Sequence, residues 1–276
     1  MHALISDWNR FKPEQPPYVL PGDEAVLDEG HLYCRHAGWE GFVADPDFGV
    51  PGNSQLHLDL LPIPFVGNLK TASVFLLMLN PGFGPHDYFG EYTVPEYRAA
   101  LLANLRQTRS NSFLFLDPRF SWHGGYDYWH TKLKNVITTF AKSVGISYGR
   151  ARRFFQSNIA ALELAPYHSV NFTVPGRVFN SLHSVQLART FVHEELLPRA
   201  RAGECLVVVT RAVKSWQLPT HKNVVAYTAT EARSAHLSPK SRGGSAILKF
   251  LGSAYANVLP NTAVQGTLRD KATQRP

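Results

Sequence analysis

Short apolar runs without polar alternation constrain the fold of this chain most strongly. Residues 73–79 read Ser-Val-Phe-Leu-Leu-Met-Leu, and comparable runs occur at 159–164, 206–209 and 224–227. A strand buried on one face alternates apolar and polar residues, whereas an unbroken run is typical of a strand buried on both faces of a parallel sheet. The sequence therefore predicts a parallel sheet built from these four runs.

Helical patterns lie between the predicted strands. Apolar residues recur at intervals of three and four from Trp129 to Val144, and similar patterns cover residues 96–105 and 185–197. Alternating strands and helices predict an α/β fold, a three-layer α/β/α sandwich around a roughly four-stranded parallel sheet. Because ligands of such sheets bind beyond the carboxyl ends of the strands, chemistry is expected in the loops that follow them. These loops begin after Leu79, Leu164, Thr210 and Tyr227.

The predicted sheet and its helices occupy the middle of the chain. Residues 1–70 contain many prolines, which predict turns and short pieces that pack on the main fold as a lead-in segment. Residues 71–256 form the predicted α/β domain, and residues 257–276 are polar and predicted to be a frayed tail. With 276 residues, of which 44% are hydrophobic, the chain is long and apolar enough for a globular core.

Charge and cysteine content narrow the classes of protein. The formal net charge of +7 favours polyanionic partners, although net charge alone proves none. Only Cys34 and Cys205 occur, far apart, which speaks against a disulfide framework, a cysteine zinc site and a four-cysteine iron–sulfur cluster. The sequence has no apolar leader and no run long enough to cross a bilayer, so we expect a cytoplasmic protein without membrane association. No obligate protein partner is evident.

The histidines give no sign of a metal site. No H-x-x-x-H pair on one helix is present among them, and we therefore predict neither a metal ion nor a cofactor. Histidines outside any such pair include His57, His123, His168, His183 and His193.

Two of the loops after predicted strands carry distinctive residues. The first strand runs into Asn80-Pro81-Gly82, a turn that presents an amide at the edge of the sheet, and His236-Leu237-Ser238-Pro239 follows the fourth strand. Each segment also has a simpler explanation, since Asn-Pro-Gly is common in turns and a loop histidine is usually a surface residue.

Taken together, the two segments resemble the motifs of the uracil-DNA glycosylase superfamily. Its mismatch-specific and single-strand-selective branches have G-x-N-P-G after the first strand and H-P-S-x after a later one, and here Met78 and Leu237 replace the usual Gly and Pro. The segment 88–91 is similar to a P-F-G-E motif, and the segment 62–68 to a proline-bearing loop ahead of the first motif. The resemblance covers roughly residues 62–250 in order and spacing.

This resemblance implies a glycosylase that flips a pyrimidine out of DNA and leaves an abasic site. Asn80 would orient the attacking water, and His236 would stabilise the negative charge that builds on the departing base. Phe89 would stack on the base, although it could equally fill the core. No lysine falls within the first motif to act as a Schiff-base nucleophile, so a monofunctional enzyme is expected.

Two departures from the family bear on the choice of base. Aligned on Pro166, Glu163 stands where the family has an Asn that reads the base, and an ionised carboxylate would accept from the cytosine amino group. Gly82 replaces a tyrosine that, in the uracil-specific branch, blocks the C5 substituent. Both residues favour a modified cytosine, as in phage DNA with hydroxymethylated or glucosylated cytosine. Alternatively, Glu163 could pair with a core arginine, and the turn itself could require Gly82.

Basic residues near the second motif are the expected contacts to DNA. Ser238, Lys240 and Arg242 precede Gly243-Gly244 and the predicted start of the last helix, where phosphate binding is favoured. For the basic run 150–153 a solvated surface is the simpler interpretation.

Several alternative functions stay open at the level of sequence. The chain could be a repair glycosylase for uracil or mismatches, or a non-catalytic protein that binds modified nucleic acid. A small-molecule hydrolase or a nucleotide-binding protein is less well supported, because the sequence lacks G-x-S-x-G, the P-loop motif, and G-x-G-x-x-G after a strand.

Overall fold

The computed structural model describes residues 2–28, 32–50, 54–108 and 112–269. It confirms the α/β fold, and its main sheet has five strands, one more than predicted, of which four are parallel. The strands are β1 (Tyr33–Cys34), β2 (Leu56–His57), β3 (Phe65–Val66), β4 (Val74–Leu77), β5 (Ile159–Leu162), β6 (Leu206–Val209) and β7 (Val224–Ala226). The main sheet has the order β3-β5-β4-β6-β7, and β1 and β2 form a separate two-stranded sheet.

Helices make up most of the remaining described chain. The α-helices are α1 (Ala3–Arg10), α2 (Glu24–Asp28), α3 (Gly38–Val43), α4 (Pro85–Thr93), α5 (Pro95–Leu105), α6 (Gly124–Val144), α7 (Tyr148–Asn158), α8 (Gly176–Ser181), α9 (His183–Phe191), α10 (Leu197–Ala202), α11 (Val213–Trp216), α12 (Ala229–Ser234) and α13 (Arg242–Arg269). A π-helical turn (Val192–Leu196) joins α9 to α10, and 3₁₀ turns cover Leu114–Leu116 and Pro118–Phe120.

The four predicted parallel strands are confirmed as β4, β5, β6 and β7. Every residue of β4, β5 and β6 is buried. Successive side chains of a strand point to opposite faces, so helices must cover both faces of the sheet. Leu77 pairs with both Leu162 and Val209, which places the carboxyl ends of these three strands side by side.

The antiparallel edge strand β3 was not predicted, because its two residues are too short to show a pattern. Phe65 pairs with Leu162 of β5. On the opposite edge, Asn104 accepts a hydrogen bond from the Gly67 N–H (3.1 Å) and donates to the Phe65 carbonyl (2.7 Å). Gln107 donates to the Gly67 carbonyl at 2.9 Å, so two side-chain amides take the place of a further strand.

Helices cover parts of both ends of the chain. In the lead-in segment, α1 buries Leu4, Ile5 and Trp8 in the common core and packs on α9, and β3 joins the main sheet. The segment predicted as a polar tail begins within α13, which extends to residue 269, while residues 270–276 lie outside the described chain. Among the described residues, no helix is long and apolar enough to cross a membrane.

Candidate functional site

A cavity of about 510 Å³ lies at the carboxyl ends of β4, β5 and β6. Asn80 and Gly82, which follow β4, line it together with Glu163 after β5 and Arg211 after β6. The wall also includes aromatic and histidine side chains, namely Phe83, His86, Phe115, His123, Tyr128, Trp129, His168 and Phe172. Small-molecule pockets measure about 300–1,000 Å³, so the cavity has both the position and the size expected of a ligand site in this type of sheet.

Asn80 is held at the cavity wall through one half of its amide. Its Nδ2 donates to Ser169 Oγ at 3.1 Å and lies 3.5 Å from the carbonyl oxygen of Tyr167. Within the described part of the chain, no protein group donates to Asn80 Oδ1. An amide fixed by its nitrogen in this way presents its oxygen as an acceptor, which is the geometry needed to orient a water molecule.

The structure is consistent with both explanations of Gly82, the backbone requirement of the turn and the open space beside it. Its φ of +72° lies in the left-handed region that favours glycine, so the turn itself selects this residue. A Cβ atom added at Gly82 would meet no heavy atom within 4 Å, so the space beside it is open. The position therefore leaves room in the cavity that a larger side chain would fill.

Glu163 is a buried carboxyl group that faces the cavity. Its side chain is 6% exposed, and its backbone N–H donates to the Pro64 carbonyl at 2.9 Å. Among the described residues, Glu163 Oε2 has no hydrogen-bond partner, and no arginine forms an ion pair with the carboxyl. Burial raises the pKa of Glu163 to about 8, which makes the group neutral at pH 7.

This protonation state corrects the interpretation of Glu163 as an ionised acceptor. A neutral carboxyl both accepts and donates a hydrogen bond. The pairing with a core arginine, which was the alternative, is not found in the described chain.

A second buried carboxylate in the cavity, Asp87, is surrounded by histidines. Asp87 Oδ1 lies 3.2 Å from His123 Nε2 and 4.0 Å from His168 Nδ1, and Asp87 Oδ2 lies 3.5 Å from His86 Nε2. Burial raises the pKa of Asp87, but the hydrogen bond from His123 and the neighbouring histidine charges outweigh it and hold the pKa at about 2. Asp87 is therefore an anion that also accepts the Gly84 N–H at the start of α4 (2.8 Å).

The histidines beside Asp87 differ in what they can do. Burial lowers the pKa of His86, which leaves a neutral imidazole able to accept a proton at pH 7. His168 is wedged between two carbonyl oxygens, 3.0 Å from that of Gly82 and 3.2 Å from that of Leu61. His168 thus fixes the turn that carries Gly82, whereas His86 is the candidate proton acceptor.

Arg211 lines one side of the cavity, and Lys132 lies behind it, outside the lining. Arg211 lies close enough to Tyr128 to lower the pKa of its hydroxyl, against the raising effect of burial. The ammonium group of Lys132 stands 4.7 Å from the centre of the Tyr128 ring. Lys132 also donates to the Ala235 carbonyl at 2.7 Å, which connects this side of the cavity to the loop that carries His236. Burial and the charge of Arg211 lower the pKa of Lys132 to about 8.

His236 itself does not line the cavity. Its side chain is exposed, and its backbone carbonyl accepts a hydrogen bond from Tyr227 Oη at 2.6 Å. The following residues close on themselves, because Ser238 and Ser241 exchange hydrogen bonds through their side chains at 3.0 and 3.1 Å. The structure therefore brings Asn80, Gly82 and Glu163 together but leaves His236 outside.

The remaining predicted site residues also lie outside the cavity. Phe89 is 41% exposed and makes edge contacts to Trp39 and Trp122, so it neither fills the core nor faces the cavity. Arg242 begins α13, as predicted, but its guanidinium binds Glu231 Oε2 at 3.2 Å. Lys240 is exposed and makes no hydrogen bond or ion pair within the described chain.

Several cavity residues were missed by sequence reasoning. Arg211 directly follows Thr210, where a ligand loop was expected. His86 and Asp87 lie in the first turn of α4, shortly after the Asn-Pro-Gly segment. These positions carried a usable signal. Tyr128 and His123 come from α6 and its N-cap, far along the chain, and no local pattern points to them.

Within the described part of the chain, two groups of side chains could hold a metal ion, although the sequence predicts no metal site. The first is His86, Asp87 and His123 in the main cavity. The Gly125 N–H donates to His123 Nδ1 at 2.9 Å, so a neutral His123 carries its proton on Nε2, the nitrogen that faces Asp87. That nitrogen has no lone pair to offer, so this group does not fit a metal centre.

Comparison with known proteins gives no relative for this arrangement. No family model, no curated protein and no solved structure matches the chain.

Proposed function

We propose that the chain is a monofunctional DNA glycosylase that excises a pyrimidine, with a C5-modified cytosine preferred over uracil. The observation that carries the proposal is the meeting of Asn80 and the buried Glu163 carboxyl, whose Oε2 has no hydrogen-bond partner among the described residues, in one cavity at the carboxyl edge of the sheet. The motif resemblance adds support, and so does a net charge of +7, which suits a polyanionic partner. Cytoplasmic phage DNA is the proposed source of such bases.

The cavity is suited to a base that has left the DNA stack. Glycosylases flip the target nucleotide into a pocket and read its Watson–Crick edge there. A volume of about 510 Å³ exceeds what a bare pyrimidine ring needs, and the open space beside Gly82 leaves room for a C5 substituent. The size of the cavity therefore favours a substituted base.

The neutral Glu163 carboxyl favours cytosine through its proton. Its O–H can donate to cytosine N3 while its carbonyl oxygen accepts from the N4 amino group. As the glycosidic bond breaks, its electron pair passes to the base, and transfer of the Glu163 proton to N3 lets cytosine leave as a neutral molecule. Uracil already carries a proton on N3, so Glu163 could donate only to its O4 and gives it less help.

Asn80 and His86 complete the proposed chemistry on the sugar side. The Asn80 amide oxygen orients a water molecule toward C1′, and an amide is too weak a base to take the proton itself. The neutral imidazole of His86 accepts the proton that the water loses as it bonds to C1′. None of the residues lining the cavity is a lysine, so no Schiff-base step is proposed and the product is an abasic site.

Two alternatives are each favoured by one observation. A neutral Glu163 can also pair with uracil, which keeps a uracil or mismatch repair glycosylase in view. The exposure of His236 outside the cavity favours a protein that binds a flipped base without cleaving it.

One experiment separates the three possibilities. The full chain is incubated with oligonucleotides, single- and double-stranded, that carry uracil, cytosine, hydroxymethylcytosine or glucosylated hydroxymethylcytosine, and abasic sites are then cleaved with alkali. We expect cleavage to be strongest for a modified cytosine. Cleavage strongest at uracil would show a repair enzyme, and selective binding without cleavage a silent binder. If the protein shows neither cleavage nor selective binding, the whole proposal is contradicted.

A further inference from the structure

A second cluster of chemically active side chains lies apart from the main cavity, beside the small β1–β2 sheet. Cys34 on β1 pairs in register with His57 on the parallel strand β2. His36 follows Cys34 by two residues, and side chains two apart along extended chain point to the same face. The pairing of strands and this spacing therefore bring Cys34, His36 and His57 together by backbone geometry.

The three side chains lie close enough together to share one metal ion. One ligand atom from each of them lies within 4.8 Å of the others, and Cys34 Sγ lies 3.3 Å from His57 Nδ1. Zinc bound to sulfur at about 2.3 Å and to nitrogen at about 2.0 Å, with a tetrahedral angle, places those two ligand atoms about 3.5 Å apart. The observed separation is close to that value without any rearrangement.

The surroundings of His36 orient it as a metal ligand. His36 Nδ1 lies 3.3 Å from Asp45 Oδ2, which favours a proton on Nδ1 and leaves the lone pair on Nε2. A carboxylate on the non-coordinating nitrogen is the usual companion of a histidine that binds zinc. Asp59 adds rigidity, since it is buried, accepts from Arg35 Nε at 2.7 Å and also accepts the backbone N–H of His36.

The ring of His57 is held beside Cys34 by its neighbours. Its ring is stacked 3.6 Å from that of Phe83 and its Nδ1 lies 3.5 Å from Tyr88 Oη, contacts that hold the imidazole in place.

We propose that Cys34, His36 and His57 bind a divalent metal ion of the zinc class. A thiolate with two imidazoles is a soft to borderline donor set, which selects Zn²⁺ over Mg²⁺ or Ca²⁺. On binding, Cys34 loses its thiol proton to solvent and its sulfur forms a bond to the metal, so the site gains one positive charge. All three ligands line a separate cavity of about 240 Å³, which leaves a fourth position for water or a ligand atom.

The metal site would stabilise the wall between the two cavities. Phe83, which is stacked on His57, lines both of them. The backbone N–H of His57 also donates to the carbonyl of His168, the residue that contacts the Gly82 carbonyl. A metal ion on His57 would therefore fix the turn that follows β4, independently of the reaction proposed for the main cavity.

The test is metal binding by the full chain, which needs no assay of excision. Protein stripped with a chelator is equilibrated with Zn²⁺ and the bound metal is measured by mass spectrometry, and Co²⁺ is used in parallel because thiolate ligation gives it a charge-transfer absorption. We expect one metal ion per chain and a thiolate–cobalt band. Wild-type protein that retains no zinc, or that binds cobalt without the band, would overturn the proposal.

Matched variants locate the site. Cys34→Ser should weaken Zn²⁺ binding by more than about 100-fold, and Asp45→Asn by about 10–100-fold, because loss of an outer-shell partner alone has that effect. Cys205→Ser is the control, since Cys205 is buried elsewhere and lies near the Leu196 carbonyl. Equal zinc affinity in Cys34→Ser and wild type would refute the assignment.

A measurement on protein with its three ligands intact guards against variants that fail to fold. In the Cys205→Ser background Cys34 is the only thiol, and its reaction with a thiol reagent should slow at least about tenfold when Zn²⁺ is added. An unchanged rate of reaction would mean that the three side chains form only a hydrogen-bonded cluster.

Discussion

The loop after β4 faces a cavity, whereas the loop after α12 closes on itself. In the first loop, Asn80 and Gly82 line the cavity, and the added Cβ at Gly82 would meet open space. In the second, a Cβ added at Gly244 would lie 1.9 Å from the Ser238 carbonyl oxygen, so the loop is packed tightly on the start of α13. Two loops with similar motif matches in the sequence thus differ in the structure, because the first faces open space and the second is tightly packed.

The difference shows that a short motif in the sequence does not reveal where its side chains point in the folded chain. It also does not reveal that α12 lies between β7 and the loop with His236. His236 satisfies the spacing of a catalytic histidine, yet its side chain is exposed and only its backbone is held, by Tyr227. Arg211 matches no motif but lies in the cavity.

The largest expected effect separates the two loops directly. Asn80→Ala should lower the single-turnover rate of excision by about 10²–10³, the usual cost of losing one preorganised group, while DNA binding persists. His236→Ala should leave the rate within about a factor of three, because its side chain lies outside the cavity. Equal losses in both variants would show that the second loop closes on the cavity when DNA binds.

The next effect concerns the stability of the cavity wall. The pKa of Glu163 is raised from 4.5 to about 8, so the folded state binds its proton more tightly than the unfolded state does. The resulting stabilisation is complete below pH 4.5 and is lost as the pH rises toward 8. Relative to wild type, Glu163→Gln should therefore gain about 3 kcal/mol in free energy of unfolding between pH 4 and pH 7. Urea denaturation at the two pH values measures it, and a constant difference would argue against a buried neutral carboxyl.

The same carboxyl should control the choice of base. Glu163→Gln should slow excision of cytosine-type bases by about 10–100-fold and of uracil less, since a lost contact at a base edge costs about 1–3 kcal/mol. Wild-type excision should also fall as the pH rises through about 8, where Glu163 loses its proton, and the variant should not show this fall. Glu163→Asn, which introduces the amide found at this position in the family that the motifs resemble, should raise uracil excision relative to cytosine. If both variants slow every base equally, Glu163 has only a structural role.

The smallest expected effect is on the salt dependence of DNA binding, and it tests whether the loop around Lys240 contacts DNA. Lys240→Ala should reduce the slope of log K against log salt by about 1, the value for one phosphate contact. Arg242→Ala should change this slope less, because Arg242 is already paired with Glu231. A larger change for Arg242 than for Lys240 would show that the ion pair opens on binding.

Much of the fold could be predicted because burial on two faces leaves a strong pattern. The runs that became β4 to β7 are continuous and apolar, and the helix from Gly124 to Val144 shows its period over 21 residues. The two-residue strands β1, β2 and β3 have no such pattern, since their pairing depends on partners far away in the chain.

The sequence could predict candidate site residues only in the loops that follow predicted strands. Asn80 was singled out because it follows a buried strand, and Glu163 by alignment of its loop on Pro166. Both line the cavity at the expected edge of the sheet. The protonation of Glu163 could not be predicted, because it depends on burial and on the lack of a partner, which are properties of the folded chain. For the same reason, the Cys34, His36 and His57 cluster was missed, as its members meet through strand pairing.

The side-chain amides of Asn104 and Gln107 bond the outer edge of β3, and this affects association between molecules of the protein. An uncovered sheet edge is a template on which another chain can add a strand and begin to aggregate. Here the N–H and carbonyl of Gly67 and the carbonyl of Phe65 are already bonded by side chains that copy a neighbouring peptide. At this end of the sheet the protein thus carries its own barrier against intermolecular strand pairing, and it does so with two uncharged residues.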